Sequence, residues 1–418
     1  MESGVATPGA RVPSPPWAGN RVVLGVCGGV AAYKSVQLAR DLTLLGAEVD
    51  VVLTDAARRF VAPLSFEGVT GRGALVDLFA VGGAALHISL GRDADCVCIA
   101  PATADFIARA ASGRASDLLS TVMVAADASV VLAPAMNDRM YAHTPTRENL
   151  ATLAARGCSV VGPVAGPLAV GEGEGLGRMA APGDIVDAVG RALGREGALV
   201  GARVLVTGGP TREHVDQVRY FGNRSSGKTG VALARAAWMR GAEVTLVTGP
   251  SALPMPLGVE VVAVESAREM RDAVLDVAEG ATAAIFSAAV SDYCPIDRTR
   301  GKIRRSEVGD SWSVALAANP DVAAAAVSAM KPGSVAVGFA LEVDDLVSRA
   351  TTKIREKGFD LIVGNLATEP DSGFEADTNR VTIVHSDGSA RELPLMDKFR
   401  VAWEVVEIVE KRVAARES

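Results

Sequence analysis

The chain has 418 residues, of which 49% are hydrophobic and only 4% aromatic, and its formal net charge is −7. That length predicts two domains with cores of their own, and the acidic balance without a basic block argues against nucleic acid as a partner. With that charge balance, acidic substrates must be held by individually placed Lys, Arg and helix N-termini, and no apolar run reaches the roughly 18 residues of a membrane span.

Residues 1–20 carry Pro, Ser and Gly without an apolar segment; they read as a flexible tail on a cytoplasmic protein, not a signal peptide. Val22–Val26 is a β-rich run leading into Gly28-Gly29. A helical stretch with Val36, Ala39 and Leu42 on one face follows, then Gly46 and a strand at Glu48–Leu53 that ends beside Thr54. This is a βαβ unit. Cys96–Ala100 and Ser129–Ala133 are further strands, each running into a Pro-containing loop, and those loops carry Thr103 and Asn137. Ligands of open α/β sheets collect at such carboxyl ends, and Thr103 reads as the N-cap of a helix Ala104–Ala111. Cys96 and Cys98 share a strand face with no second pair to complete a zinc site, so both are expected to be packing residues. The glycine-rich stretch 166–177 precedes no clear strand and reads as a mobile flap. A helix ends near Leu193, and residues 194–201 read as a linker.

The same grammar returns at Val204–Thr207, a helix over Gly227–Arg240 and a strand at Glu243–Val247; even the tetrapeptide Gly-Ala-Glu-Val at 46–49 recurs at 241–244. Two Rossmann-like units in one chain predict an α/β fold of two domains, residues 21–193 and 202–418. Residues 222–229, Gly-Asn-Arg-Ser-Ser-Gly-Lys-Thr, satisfy the P-loop pattern. A P-loop needs a buried strand running straight into it, whereas the clear strand here ends at Thr207 and Asp216, Gln217 and Arg219 intervene. The octapeptide therefore reads as an anion-binding helix start within a Rossmann-like domain. Further on come a strand Ala283–Ala289 leading to Asp292, the basic run Lys302–Arg305, Asn319 as a helix cap before Pro320-Asp321, and a strand Val335–Ala340 containing Phe339. Lys353 and Lys357, at i and i+4, place two cations on one helix face, where a polyanion would relieve their repulsion.

These motifs, in this order along nearly all of 21–410, resemble the bifunctional phosphopantothenoylcysteine decarboxylase / phosphopantothenate–cysteine ligases of bacterial coenzyme A synthesis. The likeness runs through 25–34, His87-Ile88, 100–105 and Pro134-Ala135-Met136-Asn137 in the first half. In the second half it runs through 209–213, 223–228, 288–293, Lys302-Ile303, Asn319-Pro320-Asp321, 338–340 and Lys353…Lys357.

The resemblance implies a flavodoxin-like decarboxylase domain followed by a Rossmann-like ligase domain. In the ligase, CTP would activate 4′-phosphopantothenate as an acyl-cytidylate, and the amine of cysteine would displace CMP. Asn223 and Lys302 are implied in that chemistry, with Asn319, Pro320, Asp321, Phe339, Lys353 and Lys357 binding the nucleotide and Asp292 meeting Mg²⁺. In the decarboxylase, FMN would sit over Gly28, Gly29, Thr54 and Thr103, His87 would act as acid/base and Asn137 would hold the departing carboxylate. The family also implies a homo-oligomer, trimeric through the first half and dimeric through the second, together making a dodecamer.

One departure stands out. The family's flap carries a proton-donating cysteine in Ala-Cys-Gly, and here it reads Ala169-Val170-Gly171. Val170 motivates an alternative, a specialised-metabolism paralogue that uses the same chemistry on another acid or stops at an enethiol. A P-loop ATPase with a flavin-type sensory domain is the alternative from another class.

Overall fold

The computed structural model describes residues 13–79, 85–171, 173–369, 371, 373 and 376–417. The described chain forms two compact units, one from Ser14 to Arg195 and one from Glu196 onward, to which Pro13 also belongs.

The first unit is built on five strands, β1 (Arg21–Val26), β2 (Glu48–Leu53), β3 (Cys96–Ala102), β4 (Ser129–Pro134) and β5 (Ser159–Val160). All run parallel, in the order β2-β1-β3-β4-β5, with Val22 opposite both Val49 and Cys96. This is the flavodoxin-like order, whose topological switch point lies beside β1. Parallel strands covered on both faces need continuous apolar runs, and β1 meets this with Val22 through Val26 all buried. One core cluster joins Ile99, Phe106, Ile107, Leu118, Leu119 and Leu132, each such side chain contributing about 1.5–3 kcal/mol on burial. Cys96 and Cys98 are free and fully buried in β3, as packing residues.

Two expectations change here. Of the stretch read as a flexible tail, residues 1–12 lie outside the described residues, but 13–20 are folded: Trp17 is 1% exposed and its backbone N–H donates to the Leu45 carbonyl at 2.8 Å. A single indole anchors a segment whose composition is otherwise that of a linker. The glycine-rich flap contains strands after all, the antiparallel hairpin β6 (Val164–Pro167) and β7 (Glu174–Arg178).

The second unit holds β8 (Arg203–Gly208), β9 (Glu213–His214), β10 (Tyr220–Phe221), β11 (Glu243–Thr248), β12 (Glu260–Ala263), β13 (Ala283–Phe286), β14 (Tyr293–Pro295), β15 (Leu316–Ala318), β16 (Val335–Glu342), β17 (Leu361–Leu366), β18 (Thr378–His385) and β19 (Ala390–Asp397). Eight of them form one sheet, ordered β12-β11-β8-β13-β16-β17-β18-β19, parallel as far as β17 and antiparallel beyond it. The pairs β9–β10 and β14–β15 are separate small ribbons. The strand just before the octapeptide is thus a two-residue ribbon outside the main sheet, which removes the P-loop reading on topology. The antiparallel edge is unanticipated by the sequence reading, as is the C-terminal helix Lys398–Glu417, which packs on the helix Lys228–Met239. The strand expected over Ala283–Ala289 stops at Phe286, leaving Ala289 in an isolated bridge to Pro210.

Candidate active sites

In the first unit the carboxyl ends of β1 to β4 open into a cavity of about 1230 Å³. Gly28, Gly29, Thr54, Thr103 and Asn137 all line it, each delivered by the loop after one strand. Thr54 Oγ1 accepts from Ala57 N–H at 3.2 Å and Thr103 Oγ1 from Phe106 N–H at 3.4 Å, so both hydroxyls fix the turn that follows their strand. Asn137 caps the short helix Asp138–Ala142 through Arg139 N–H at 2.9 Å. The hairpin is tied to that same loop, because Met136 N–H donates to the Gly177 carbonyl at 3.0 Å.

At the cavity floor the backbone of Gly28 packs against Ala56, where a Cβ would collide, so only glycine fits that close approach. Leu168, Ala169 and the exposed Val170 bring the flap to its rim. Sequence reading missed several lining residues. Cys27 forms part of the floor, where burial pushes its thiol up to about 12. Arg109 is clamped between Asp105 at 3.0 Å and Asp117 at 2.7 Å. Lys34 also lines the cavity, and burial, then the neighbouring Arg178, hold its pKa below the ordinary lysine value.

His87 is not among the residues lining this cavity. It sits in the first turn of the helix Leu86–Asp93, and its Nδ1 is buried without a hydrogen-bond partner among the described residues. The structure of one chain therefore does not bring His87 to Asn137.

In the second unit a cavity of about 300 Å³ opens where β8, β13 and β16 end. Asn223, Phe339 and Lys353 line it, with Lys228, Asn365 and Lys398 added by the structure. Asn223 Nδ2 donates to the Val290 carbonyl at 2.8 Å, which ties the octapeptide to the loop after β13. The helix Lys228–Met239 begins at Gly227, with φ 82° and no side-chain cap, so its first N–H groups are left for a ligand.

Asn319, Pro320, Asp321, Lys357, Asp292 and Lys302 lie outside that lining. Asn319 does not cap a helix as expected; its Nδ2 donates to the Ser291 carbonyl at 2.9 Å, and Asp321 is the cap, accepting from Ala324 N–H at 3.0 Å. Pro320 lies between them in the chain. Lys353 and Lys357 share the helix Leu346–Lys357, but each already has a carboxylate, Glu342 at 2.6 Å and Asp321 at 2.9 Å. Asp292 and Lys302 are exposed. No cluster of three or more metal-ligating side chains occurs among the described residues. A lone carboxylate at Asp292 fits Mg²⁺ that arrives on a nucleotide, since that ion keeps waters and substrate phosphates as its main ligands. No described helix is long and apolar enough to cross a membrane.

The family described as "Flavoprotein" matches residues 14–194, and that described as "DNA/pantothenate metabolism flavoprotein C-terminal domain" matches residues 199–413. The coenzyme A biosynthesis bifunctional protein CoaBC of Vibrio vulnificus is 41% identical over 94% of this chain and 98% of its own. That of Escherichia coli K12 is 42% identical over 91% of this chain and 94% of its own. The crystal structure of the C-terminal domain of a protein of the same description is 38% identical, covering 53% of this chain and 100% of its own, with a TM-score of 0.45. With both halves matched in order and the first unit built on a flavodoxin-like parallel sheet, the chain belongs to the coenzyme A biosynthesis bifunctional proteins, enzymes that unite a phosphopantothenate–cysteine ligase with a flavoprotein phosphopantothenoylcysteine decarboxylase.

Proposed function

We propose that residues 202–418 join 4′-phosphopantothenate to cysteine at the expense of CTP, and that residues 21–193 decarboxylate the conjugate to 4′-phosphopantetheine with FMN as the flavin. The observation that carries this reading is that Asn223 and Asn137 each line a cavity at the carboxyl ends of a parallel sheet, one in each unit. The acid's carboxylate attacks the α-phosphate of CTP, releasing pyrophosphate, and the cysteine amine then displaces CMP from the acyl-cytidylate. Asn223, whose amide already donates to the Val290 carbonyl, hydrogen-bonds the acyl group. Lys353 and Lys357 exchange their carboxylate partners for phosphate oxygens, and Lys302 and Asp292, with its Mg²⁺, reach the triphosphate from their exposed loops.

In the first unit the bound flavin supplies the two-electron oxidation that makes the substrate's carboxylate a leaving group, and the return of those electrons afterwards. Gly28, Gly29, Thr54 and Thr103 hold that cofactor, and Asn137 holds the carboxylate. His87, outside its own chain's cavity, serves the cavity of a neighbouring copy in a trimer, and pairing of ligase units into dimers builds the dodecamer. The enzyme works in the cytoplasm. Val170 has no proton to give, so water or another donor completes the reduction.

Incubating the protein with 4′-phosphopantothenate, cysteine, CTP and Mg²⁺ and weighing the product tests this reading. The expected product is the saturated thiol. A product two hydrogens lighter marks an enzyme that stops at the enethiol, as Val170 suggests for a specialised paralogue, and absence of any conjugate overturns the ligase assignment.

A further inference from the structure

Six of the described residues that line the first unit's cavity carry charge, and four of them are accounted for within the protein. Arg109 is held by Asp105 and Asp117, and Asp55 meets Arg58 at 3.7 Å. The two left over are both cations. Lys34 lies half-buried on the helix Ala32–Leu44, and the charge that acts on it is that of Arg178, another cation. Arg178 ends the hairpin strand β7 opposite Val164, and its Nη1 lies 3.3 Å from where a Cβ of Gly166 would stand. Glu174 is at the other end of that strand, opposite Pro167. Neither cation forms an ion pair among the described residues; Glu172, beyond Glu174 in the chain, lies outside them. Burial, then Arg178, lower the Lys34 pKa. Keeping the two charges side by side therefore costs free energy, and an anion between them relieves it.

We propose that Lys34 and Arg178 form the subsite for the phosphate monoester of the decarboxylase substrate, a molecule that shares the cavity with the flavin. The proposal rests on the decarboxylase reading above and deepens it. A phosphate monoester dianion can take a hydrogen bond from an ammonium and paired bonds from a guanidinium at once. The cavity, at about 1230 Å³, exceeds the roughly 300–1,000 Å³ of an ordinary small-molecule pocket, so it has room for a substrate beside a cofactor. The phosphate of a flavin nucleotide has the same chemistry, and position decides between the two. The residues expected to hold the flavin follow β1, β2 and β3, whereas Arg178 follows Gly177, whose carbonyl accepts from Met136 N–H beside Asn137. The hairpin that carries Arg178 is thus tied to the loop that takes the substrate's carboxylate. A phosphate held at one end of the substrate then orients the carboxylate at the other, and binding energy far from the breaking bond serves its cleavage.

The test uses the full chain, loaded with flavin, carrying Lys34→Met or Arg178→Gln. It compares carbon dioxide release from phosphopantothenoylcysteine with that from pantothenoylcysteine, which lacks the phosphate. Loss of one charge-assisted contact predicts a fall of about tenfold to a hundredfold in kcat/KM for the phosphorylated substrate. The value for the unphosphorylated one should stay within about twofold, so the preference collapses. Lys34→Arg, which keeps the charge, should retain most of that preference, and visible absorbance per chain should match the unmodified protein in every variant. Arg178 is exposed on its hairpin, so Arg178→Gln keeps the test decisive if Lys34→Met does not fold. An intact preference in folded, flavin-loaded variants overturns the proposal. So does a loss of flavin that added flavin mononucleotide reverses together with the full preference, since that result gives the two cations to the cofactor's phosphate. Carbon dioxide from neither substrate with the unmodified protein is a different outcome; it sinks the decarboxylase reading, and the subsite with it.

Discussion

At Gly28 the backbone after β1 lies so close to Ala56 that any side chain displaces one of them. Overpacking of this kind costs about 1–3 kcal/mol. Gly28 and Ala56 both line the cavity proposed to hold the flavin, so a shift of either reshapes it. Gly28→Ala should therefore lose flavin by about fivefold to a hundredfold, read as visible absorbance per chain after desalting, while ligase turnover stays intact. Nearby, Cys27 shows what burial does to a thiol. With a pKa of about 12, shared by Cys96, only about one molecule in ten thousand is thiolate at pH 8. Cys98 is pushed well up by the same desolvation. Iodoacetamide at pH 8 followed by peptide mass mapping should leave Cys27, Cys96 and Cys98 unlabelled in the folded protein and label all three after denaturation. Native labelling of Cys27 would mean that the cavity floor opens to solvent.

At the scale of elements, the loop between β9 and β10 is organised by one enclosed carboxylate. Asp216 is 0% exposed and accepts from the N–H groups of Val218 and Arg219 at 2.7 Å, from Ile303 N–H at 3.1 Å and from Arg219 Nη1 at 2.8 Å. Burial would raise its pKa, but the donors outweigh burial and hold it below the ordinary carboxylate value. A depressed carboxylate adds stability at pH values above about 3.9, and that stability is lost as pH falls through the lower folded value. Asp216→Asn should flatten the acid limb of the ligase unit's melting profile below about pH 4. At neutral pH it should also slow ligation, because Ile303 follows Lys302 in the chain; an unchanged acid limb would refute the assignment.

This brace also marks the limit of what the sequence could reveal. The βαβ units were legible because their apolar runs and glycine stops are local, and Gly28, Thr54, Thr103 and Asn137 follow strand ends directly. The pairing of Asp216 with Ile303, or of Lys398 with Gly373, joins residues far apart with no period to announce it. In β18 the alternation is present, with Asn379, Val381 and Ile383 buried and Arg380 and Thr382 less so, but the sequence reading placed no strand there. Trp17 was hidden by its Pro-rich surroundings in the same way.

At the scale of the whole molecule, the two residues that the proposed decarboxylation asks to meet are apart in a single chain. Asn137 lines the cavity, while His87 lies outside its lining with Nδ1 buried and unpartnered among the described residues. Exposed Phe60, Phe79 and Val124 leave the first unit with apolar surface of the kind that association covers. If each site takes His87 from one copy and Asn137 from the next, two damaged chains can repair each other. His87→Asn and Asn137→Asp proteins should each lack decarboxylase activity when made alone, yet regain a substantial fraction when co-expressed. In a mixed trimer, a His87→Asn copy supplies an intact Asn137 loop and an Asn137→Asp copy supplies the histidine. Both variants leave the ligase unit untouched, so equal conjugate formation in every sample serves as the internal control. The measurement is carbon dioxide release from phosphopantothenoylcysteine by purified co-expressed protein. Recovery places the reaction at a junction between copies, and no recovery from folded, mixed oligomers would require His87 to reach the cavity of its own chain.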